Sequence, residues 1–361
     1  DGLVAKTGAK TGSKYVYATR KCVLPYVTDD AQKFYTSDNF INIFSPDYTF
    51  RKFLGFFSPV CAPLTPELEK EYVRRGIFPD EKIESESRFR NFLEIFLELS
   101  FDEKKAKRAR AAVAQYYGEI FTGRCAAFDA GYSGRIHKAL SELCARPVDA
   151  LFLHDNGYST RRMARAGGFT VFSFYPYSPN VTDILRETFL SETAPSCIGF
   201  ERAEGGVRPV FGREEKNTSS DFALHLMQEG GLRFAQELTE TFSDCLGMFD
   251  MRNTECGYLF EYFCRRATEF DRYVFIDHVI EDGVYSGFDG LSLVYRWQEN
   301  LQAIGEGTGE GTNVLPAAQK TVEAALRGSS KMKKALYYWL FDRQTFREKM
   351  RKAKKNKRSG T

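Results

Sequence analysis

The chain has 361 residues, 43% of them hydrophobic and 27% charged, with a formal net charge of +3. That length and apolar content suffice for a large core, as one big domain or two smaller ones, and the near-neutral balance excludes a general affinity for polyanions. No apolar run approaches the ~18 residues of a membrane span and no secretory apolar segment stands at the start, so a cytoplasmic protein is expected. The eight cysteines, at positions 22, 61, 125, 144, 197, 245, 256 and 264, form no Cys-x-x-Cys pairs and no zinc-type spacing with the four histidines. They read as buried thiols of a reducing compartment, and no metal site is expected from them.

Residues 1–12 read as a loose lead-in, and the start at Asp1 without methionine reads as a piece of something larger. Residues 15–24 alternate and are rich in β-formers, which predicts a strand ending near Thr19 with Arg20 and Lys21 at its exit. From 29 to 118 the pattern turns helical. Pro46, Pro59, Pro63 and Pro66 punctuate short segments, residues 85–99 carry apolar groups at helical spacing, and 102–117 predict a charged helix. This stretch reads as a helical insertion or cap.

The centre of the chain predicts an α/β unit. An apolar strand at 125–128 runs into Asp129-Ala-Gly-Tyr-Ser-Gly134 and then a helix over 134–144; a second strand follows at 150–154. Such a βαβ unit implies parallel strands. A second polar turn leads from His154 and Asp155 into a helix capped by Ser159 or Thr160, closed by Gly167 and Gly168, with a third strand at 169–174. Further on, 181–189 predict a short helix carrying Arg186 and Glu187, 196–210 a strand and polar hairpin, and 221–246 and 256–266 helices. The glycine-rich 305–312 reads as a linker within 301–330. The fold class expected is α/β: a Rossmann-like parallel sheet with a helical insertion and a mainly helical C-terminal half. Residues 1–300 then form a single domain, and 331–361 a basic, aromatic tail.

The turn at 129–134 reads as an anion cradle. Gly131 and Gly134 let the backbone turn tightly, Ser133 is placed to cap the helix, and a helix N-terminus aims free N–H groups and the positive end of its dipole outward. Asp129 falls where open α/β sheets bind ligands, at the strand's carboxyl end. The plain reading stays open beside it: Asp129 as a turn former, Asp155 and Asn156 likewise, His154 as a structural strand-end residue, Glu187 as a surface charge.

Three segments, Tyr15-Val-Tyr-Ala-Thr-Arg20, Phe128-Asp-Ala-Gly-Tyr-Ser-Gly134 and Glu187-Thr-Phe-Leu-Ser-Glu-Thr-Ala-Pro-Ser196, resemble the region that follows the phosphatase-like domain in haloacid-dehalogenase-type proteins of bacterial surface-polysaccharide biosynthesis. The likeness spans roughly 15–235. Thr19-Arg20-Lys21 departs from that family's Ser-Arg-Arg, and Arg135 stands where Thr is common. No Asp-x-Asp phosphatase motif at a strand end occurs here, so phosphatase activity is not expected.

The resemblance implies a glycosyl- or phosphoribosyl-transferase of capsule or O-antigen assembly, with a sugar-phosphate donor and a glycan acceptor as partners. Gly131, Tyr132, Ser133, Gly134 and Arg135 would then cradle the donor, with Arg20 and Lys21 neutralising its pyrophosphate. Asp129 and Glu187, then Asp155 and Glu192, are the candidates to activate or orient the acceptor hydroxyl. A Mg²⁺ ion could accompany a pyrophosphate donor. The basic, aromatic stretch 331–357 suits peripheral contact with the inner face of an anionic membrane, and no motif points to specific nucleic-acid recognition. A non-catalytic scaffold of a glycan-assembly complex and a nucleotide-sugar glycosyltransferase stay open as alternatives.

Overall fold

The computed structural model describes residues 13–36, 48–131, 133–155, 157–175, 180–190, 196–212 and 218–245, and short pieces between 248 and 298. The fold is mixed α/β. Its N-terminal part is helical: α1 (Arg20–Val27), α2 (Ala31–Thr36), α3 (Phe50–Phe56), α4 (Pro66–Arg74), α5 (Glu86–Leu99) and α6 (Glu103–Ile120). All six start on a side-chain cap, Asp30 capping α2 by accepting the Lys33 N–H at 3.1 Å. Thr19, Thr49, Thr65, Ser85 and Asp102 each accept a hydrogen bond from the backbone N–H three residues on, which satisfies one donor that the helix itself leaves open.

The strand expected to end at Thr19 is not formed. Residues 13–19 have no regular structure and 20–27 are helical, so Arg20 and Lys21 open α1 instead of leaving a strand. The physical reason lies in the burial: Cys22 through Val27 are buried without a break. A half-exposed strand would bury alternate residues; an enclosed helix buries them all. Consequently the helical stretch at 29–118 precedes the first strand, rather than being inserted after one.

Aromatic packing organises this part. Phe34, Phe50, Phe53, Phe57, Phe92 and Phe96 are buried in one cluster. Ring centroids lie 4.4 Å apart for Phe50 and Phe92, 4.7 Å for Phe53 and Phe57, and 5.3 Å for Phe53 and Phe96, the range in which aromatic pairs attract beyond their area burial.

The sheet comes next in the chain. β1 (Ala126–Asp129), β2 (Asp149–His154) and β3 (Val171–Tyr175) are parallel in the order β1-β2-β3, joined by α7 (Arg135–Cys144) and α8 (Tyr158–Gly167). The two helices pack on each other and on one face of the sheet, where Ala150, Phe152, Met163 and Phe169 form a small core. The strand and helix positions expected here hold to within two residues at most ends. Ser159 and Thr160 lie inside α8 and do not cap it: the cap is Gly157, without a side-chain bond.

α9 (Asn180–Leu190), a hairpin of β4 (Cys197–Ala203) and β5 (Gly206–Phe211), α10 (Thr218–Thr241) and a two-residue pair, β6 (Val279–Ile280) with β7 (Leu291–Ser292), follow. The hairpin packs back on α1 and α6, with Phe200 set against Tyr116, Tyr117 and Tyr26. The linker at 301–330 and the basic tail at 331–361 lie outside the described residues, as does most of the helix expected at 256–266. Among the described residues, no helix is long and apolar enough to cross a membrane.

Since Phe53 is fully buried against five other phenylalanine rings, Phe53→Ala is expected to lower the unfolding free energy by about 3–5 kcal/mol. Phe78→Ala, at a side chain 54% exposed, should change it by no more than about 0.5 kcal/mol. Urea denaturation of both variants measures the contrast.

Candidate functional site at the carboxyl ends of the parallel strands

Side chains alternate across the three strands, and the register decides which of them meet. Asp129 pairs with Phe152 and Phe152 with Ser173, so these three form one row across the sheet. Phe152 is buried beneath α7 and α8, which puts Asp129 and Ser173 on the same helix-covered side. One strand separates them, a backbone distance of roughly 10 Å. The neighbouring row, Phe128, Leu151 and Phe172, lies on the opposite face.

Each of the first two strands ends in the same device. Asp129 Oδ1 accepts the Gly131 N–H at 2.8 Å, and Asp155 Oδ1 accepts the Gly157 N–H at 2.6 Å. An aspartate that closes its own turn in this way fixes the chain's exit from the strand. Their second oxygens differ. Asp155 Oδ2 accepts a hydrogen bond from the Ser173 hydroxyl at 2.6 Å, which ties the β2 exit to β3. Asp129 Oδ2 instead faces His137 Nδ1 at 3.8 Å.

His137 is fully buried on α7, packed edge-on against Phe152 with ring centroids 5.0 Å apart. Its Nε2 lies 3.0 Å from the Ala127 carbonyl oxygen. A carbonyl can only accept, so Nε2 carries the proton; Nδ1, which has no hydrogen-bond partner, is then a lone pair in the neutral ring and a donor toward Asp129 in the imidazolium. The arrangement is a carboxylate backed by an imidazole, a pair able to hold and pass a proton at the strand end. His137 does not face solvent, because α7 is buried on both sides.

The helices behind these turns start without side-chain caps. Gly134 stands at the N-cap of α7 with φ +76°, and the Ser133 hydroxyl accepts only a long 3.5 Å bond from the Arg135 N–H. The cap expected from Ser133 is therefore taken over by Gly134. Glycine is required there twice over: the backbone is left-handed, and a Cβ would come within 3.2 Å of Met163 Cβ on α8. First-turn N–H groups at such an uncapped end are available to an anion.

The other expected residues fall in different places. Arg20 is exposed and Lys21 half-buried on the first turn of α1, a helix that packs against α7. Gly131 and Arg135 flank the Asp129 turn, Arg135 being half-buried at the start of α7. Asp129's own partners are Gly131 and His137, not Arg20, Lys21 or Glu187. Glu187 is exposed on α9, as its plain reading had it. Tyr132 and Glu192 lie outside the described residues.

Two residues gain weight from the structure. Arg186, beside Glu187, is buried, and its Nη2 lies 3.5 Å from Nε2 of the equally buried His154 at the end of β2. Because a guanidinium only donates, His154 Nε2 accepts and its proton sits on Nδ1. His154 is thus a buried strand-end residue that presents its ring to a cation. The sequence does contain one signal for the whole rim: Asp129-Ala-Gly-Tyr-Ser and Asp155-Asn-Gly-Tyr-Ser are the same Asp-x-Gly-Tyr-Ser pattern, repeated 26 positions apart.

Gly134→Ala is expected to cost about 1–3 kcal/mol of stability through its left-handed backbone and its contact with α8. Gly118→Ala, inside α6 with nothing within 4 Å of its would-be Cβ, should instead raise stability by about 0.5–1 kcal/mol. Thermal unfolding of the two variants reads out the opposite signs.

The chain matches no protein-family model and no curated protein.

Proposed function

We propose that this chain is a transferase that moves a glycosyl or phosphoribosyl group from a phosphorylated sugar donor to a glycan acceptor, in the assembly of a bacterial surface polysaccharide. The three parallel strands are read as part of a Rossmann-like sheet, whose ligands bind beyond the strand carboxyl ends. The observation that carries the reading is Asp129: one oxygen closes the turn, and the other faces a buried imidazole at the rim of that sheet.

In such a transfer the bond from the sugar to its phosphorylated leaving group breaks through an oxocarbenium-like state, and the acceptor hydroxyl loses a proton. Asp129 Oδ2 takes the part of the base, its carboxylate held in place by the Gly131 N–H on the other oxygen, and the His137 ring facing it can share the proton. The uncapped first turn of α7 takes the donor phosphate, with Arg135 beside it. Lys138 is engaged elsewhere, paired with Glu142 at 2.9 Å. Arg20 and Lys21 belong to the site only if the donor extends from α7 to the first turn of α1. Asp155, with both oxygens hydrogen-bonded, positions the β2 turn and Ser173.

A Mg²⁺ ion arriving with a pyrophosphate donor would find one available carboxylate oxygen, Asp129 Oδ2. No group of three or more His, Cys, Asp or Glu side chains suited to a metal gathers among the described residues. The donor's phosphates and water would therefore supply most of its coordination, as Mg²⁺ accepts. Such a protein works in the cytoplasm, with 331–357 touching the inner membrane face.

A second reading draws on the open side of the sheet. Parallel sheets are ordinarily covered on both faces, yet Phe128, Phe172 and Phe174 are 51%, 52% and 41% exposed on the face away from α7 and α8. Such a surface suits a scaffold module that binds other members of an assembly complex.

Thermal shift distinguishes the two. Phosphoribosyl pyrophosphate at about 100 times its Kd should stabilise the protein by about 2.7 kcal/mol, and Arg135→Ala should reduce the shift while remaining folded by circular dichroism. A shift with nucleotide sugars alone would move the donor to that class. No shift with either donor class would overturn the transferase reading in favour of the scaffold.

A further inference from the structure

The seam between α1 and the β4–β5 hairpin holds two cysteine thiols, 175 positions apart in sequence, with their sulfurs 3.0 Å from each other. Cys22 is the third residue of α1 and Cys197 the first of β4; they are 0% and 3% exposed. Neither is needed for the chemistry proposed above. Bringing two thiols together is not required for packing either, since each would serve as a small hydrophobe on its own.

The surroundings fix the pair. Thr19, the N-cap of α1, donates its hydroxyl to the Cys197 carbonyl at 2.8 Å and lies 3.1 Å from Cys22 Sγ. The Cys22 thiol reaches the Cys197 carbonyl at 3.1 Å as well as the Cys197 sulfur. Further along the seam, the Phe200 N–H donates to the Tyr26 hydroxyl at 3.3 Å, and the two rings meet edge-on. Helix and strand are therefore held together at both ends of the contact, independently of any sulfur–sulfur bond. A disulfide is about 2.05 Å long, so the sulfurs need approach by only about 1 Å, which side-chain rotation can supply.

From this geometry we propose that Cys22 and Cys197 form a redox-modifiable site, in which hydrogen peroxide converts the thiol pair to an intrachain disulfide that ties α1 to β4. The two sulfurs are also unequal. The S–H donated by Cys22, helped by the Gly199 and Val210 backbone, lowers Cys197 to about 7, whereas Cys22, as the donor and by its burial, is pushed up. Cys197, which receives the Cys22 S–H and is the less enclosed of the two, serves as the nucleophile and Cys22 as the resolving thiol.

The chemistry balances in two steps. The Cys197 thiolate attacks one peroxide oxygen; the O–O bond breaks, leaving Cys197 as a sulfenic acid, and the departing oxygen takes up a proton as water. Cys22 sulfur then attacks Cys197 sulfur: the S–S bond forms, the S–O bond breaks, and the hydroxyl leaves with the Cys22 proton as a second water. Two electrons pass from the sulfurs to the peroxide. A thiol reductant reverses the modification by exchange.

The test treats the full chain with hydrogen peroxide, alkylates remaining thiols, digests it without reduction, and analyses the peptides by mass spectrometry. The expected product is a Cys22–Cys197 cross-linked peptide pair that dithiothreitol removes, accompanied by a reversible rise in Tm. Cys125→Ser should leave the cross-link intact, and Cys22→Ala should halt Cys197 at the sulfenic acid, trapped with dimedone. Should Cys22→Ala not fold, the wild-type peptide map alone decides. Recovery of Cys22 and Cys197 only as separate alkylated peptides, or of either joined mainly to another cysteine, overturns the proposal.

Discussion

The burial of α7 on both of its sides is the constraint on which the rest of this structure depends. One side supplies Ala139, Leu140, Leu143 and Cys144 to the same core as α1, α3 and α5, where the phenylalanine rings gather. The other packs against α8, and His137 hydrogen-bonds the β1 backbone and meets Phe152 edge-on. A helix enclosed in this way cannot rotate or slide without opening a cavity, because protein interiors are packed to crystal-like density. Its N-terminus, and with it the turn from Asp129 to Gly134, is held by the largest core the described residues contain.

That rigidity explains why so much polar chemistry is tolerated beside a hydrophobic layer. Asp129, His137, His154, Asp155, Ser173 and Arg186 all sit at or near the carboxyl rim of a three-stranded sheet. Burying such groups costs free energy unless they find partners. Here the turn N–H groups, a strand carbonyl and one another serve as partners. The helices elsewhere in the N-terminal part are closed by Thr, Ser or Asp caps, whereas α7 and α8 open on Gly134 and Gly157 without one. The same chain thus satisfies its helix ends where they are structural and leaves them open beside the aspartates.

Much of this was legible in the residues. Ser85 and Asp102 ahead of amphipathic runs mark two helix starts, and the apolar strands with Asp-x-Gly exits mark β1 and β2, since capping and turn formation are energies of residues two to four apart. The segment 15–24 shows where the reading runs out. Its alternation and β-branched content suit a strand, but the core encloses residues 22–27 on all sides, and burial overrides propensity. Adjacent Arg186 and Glu187 make the same point: one is buried and the other exposed, a matter of helix rotation that neighbouring residues do not encode.

By itself, then, the sequence determined the local pieces: which stretches are helices or strands in the central unit, where turns close, and that Asp129 stands at a strand's carboxyl end. Tertiary structure alone decided which side chains meet. His137 finds Ala127 ten residues away, Arg186 finds His154 across 32, and Cys22 finds Cys197 across 175. These pairings depend on strand register, helix rotation and the fit of two packed layers, quantities set by the summed burial of the whole core and carried by no short run of residues.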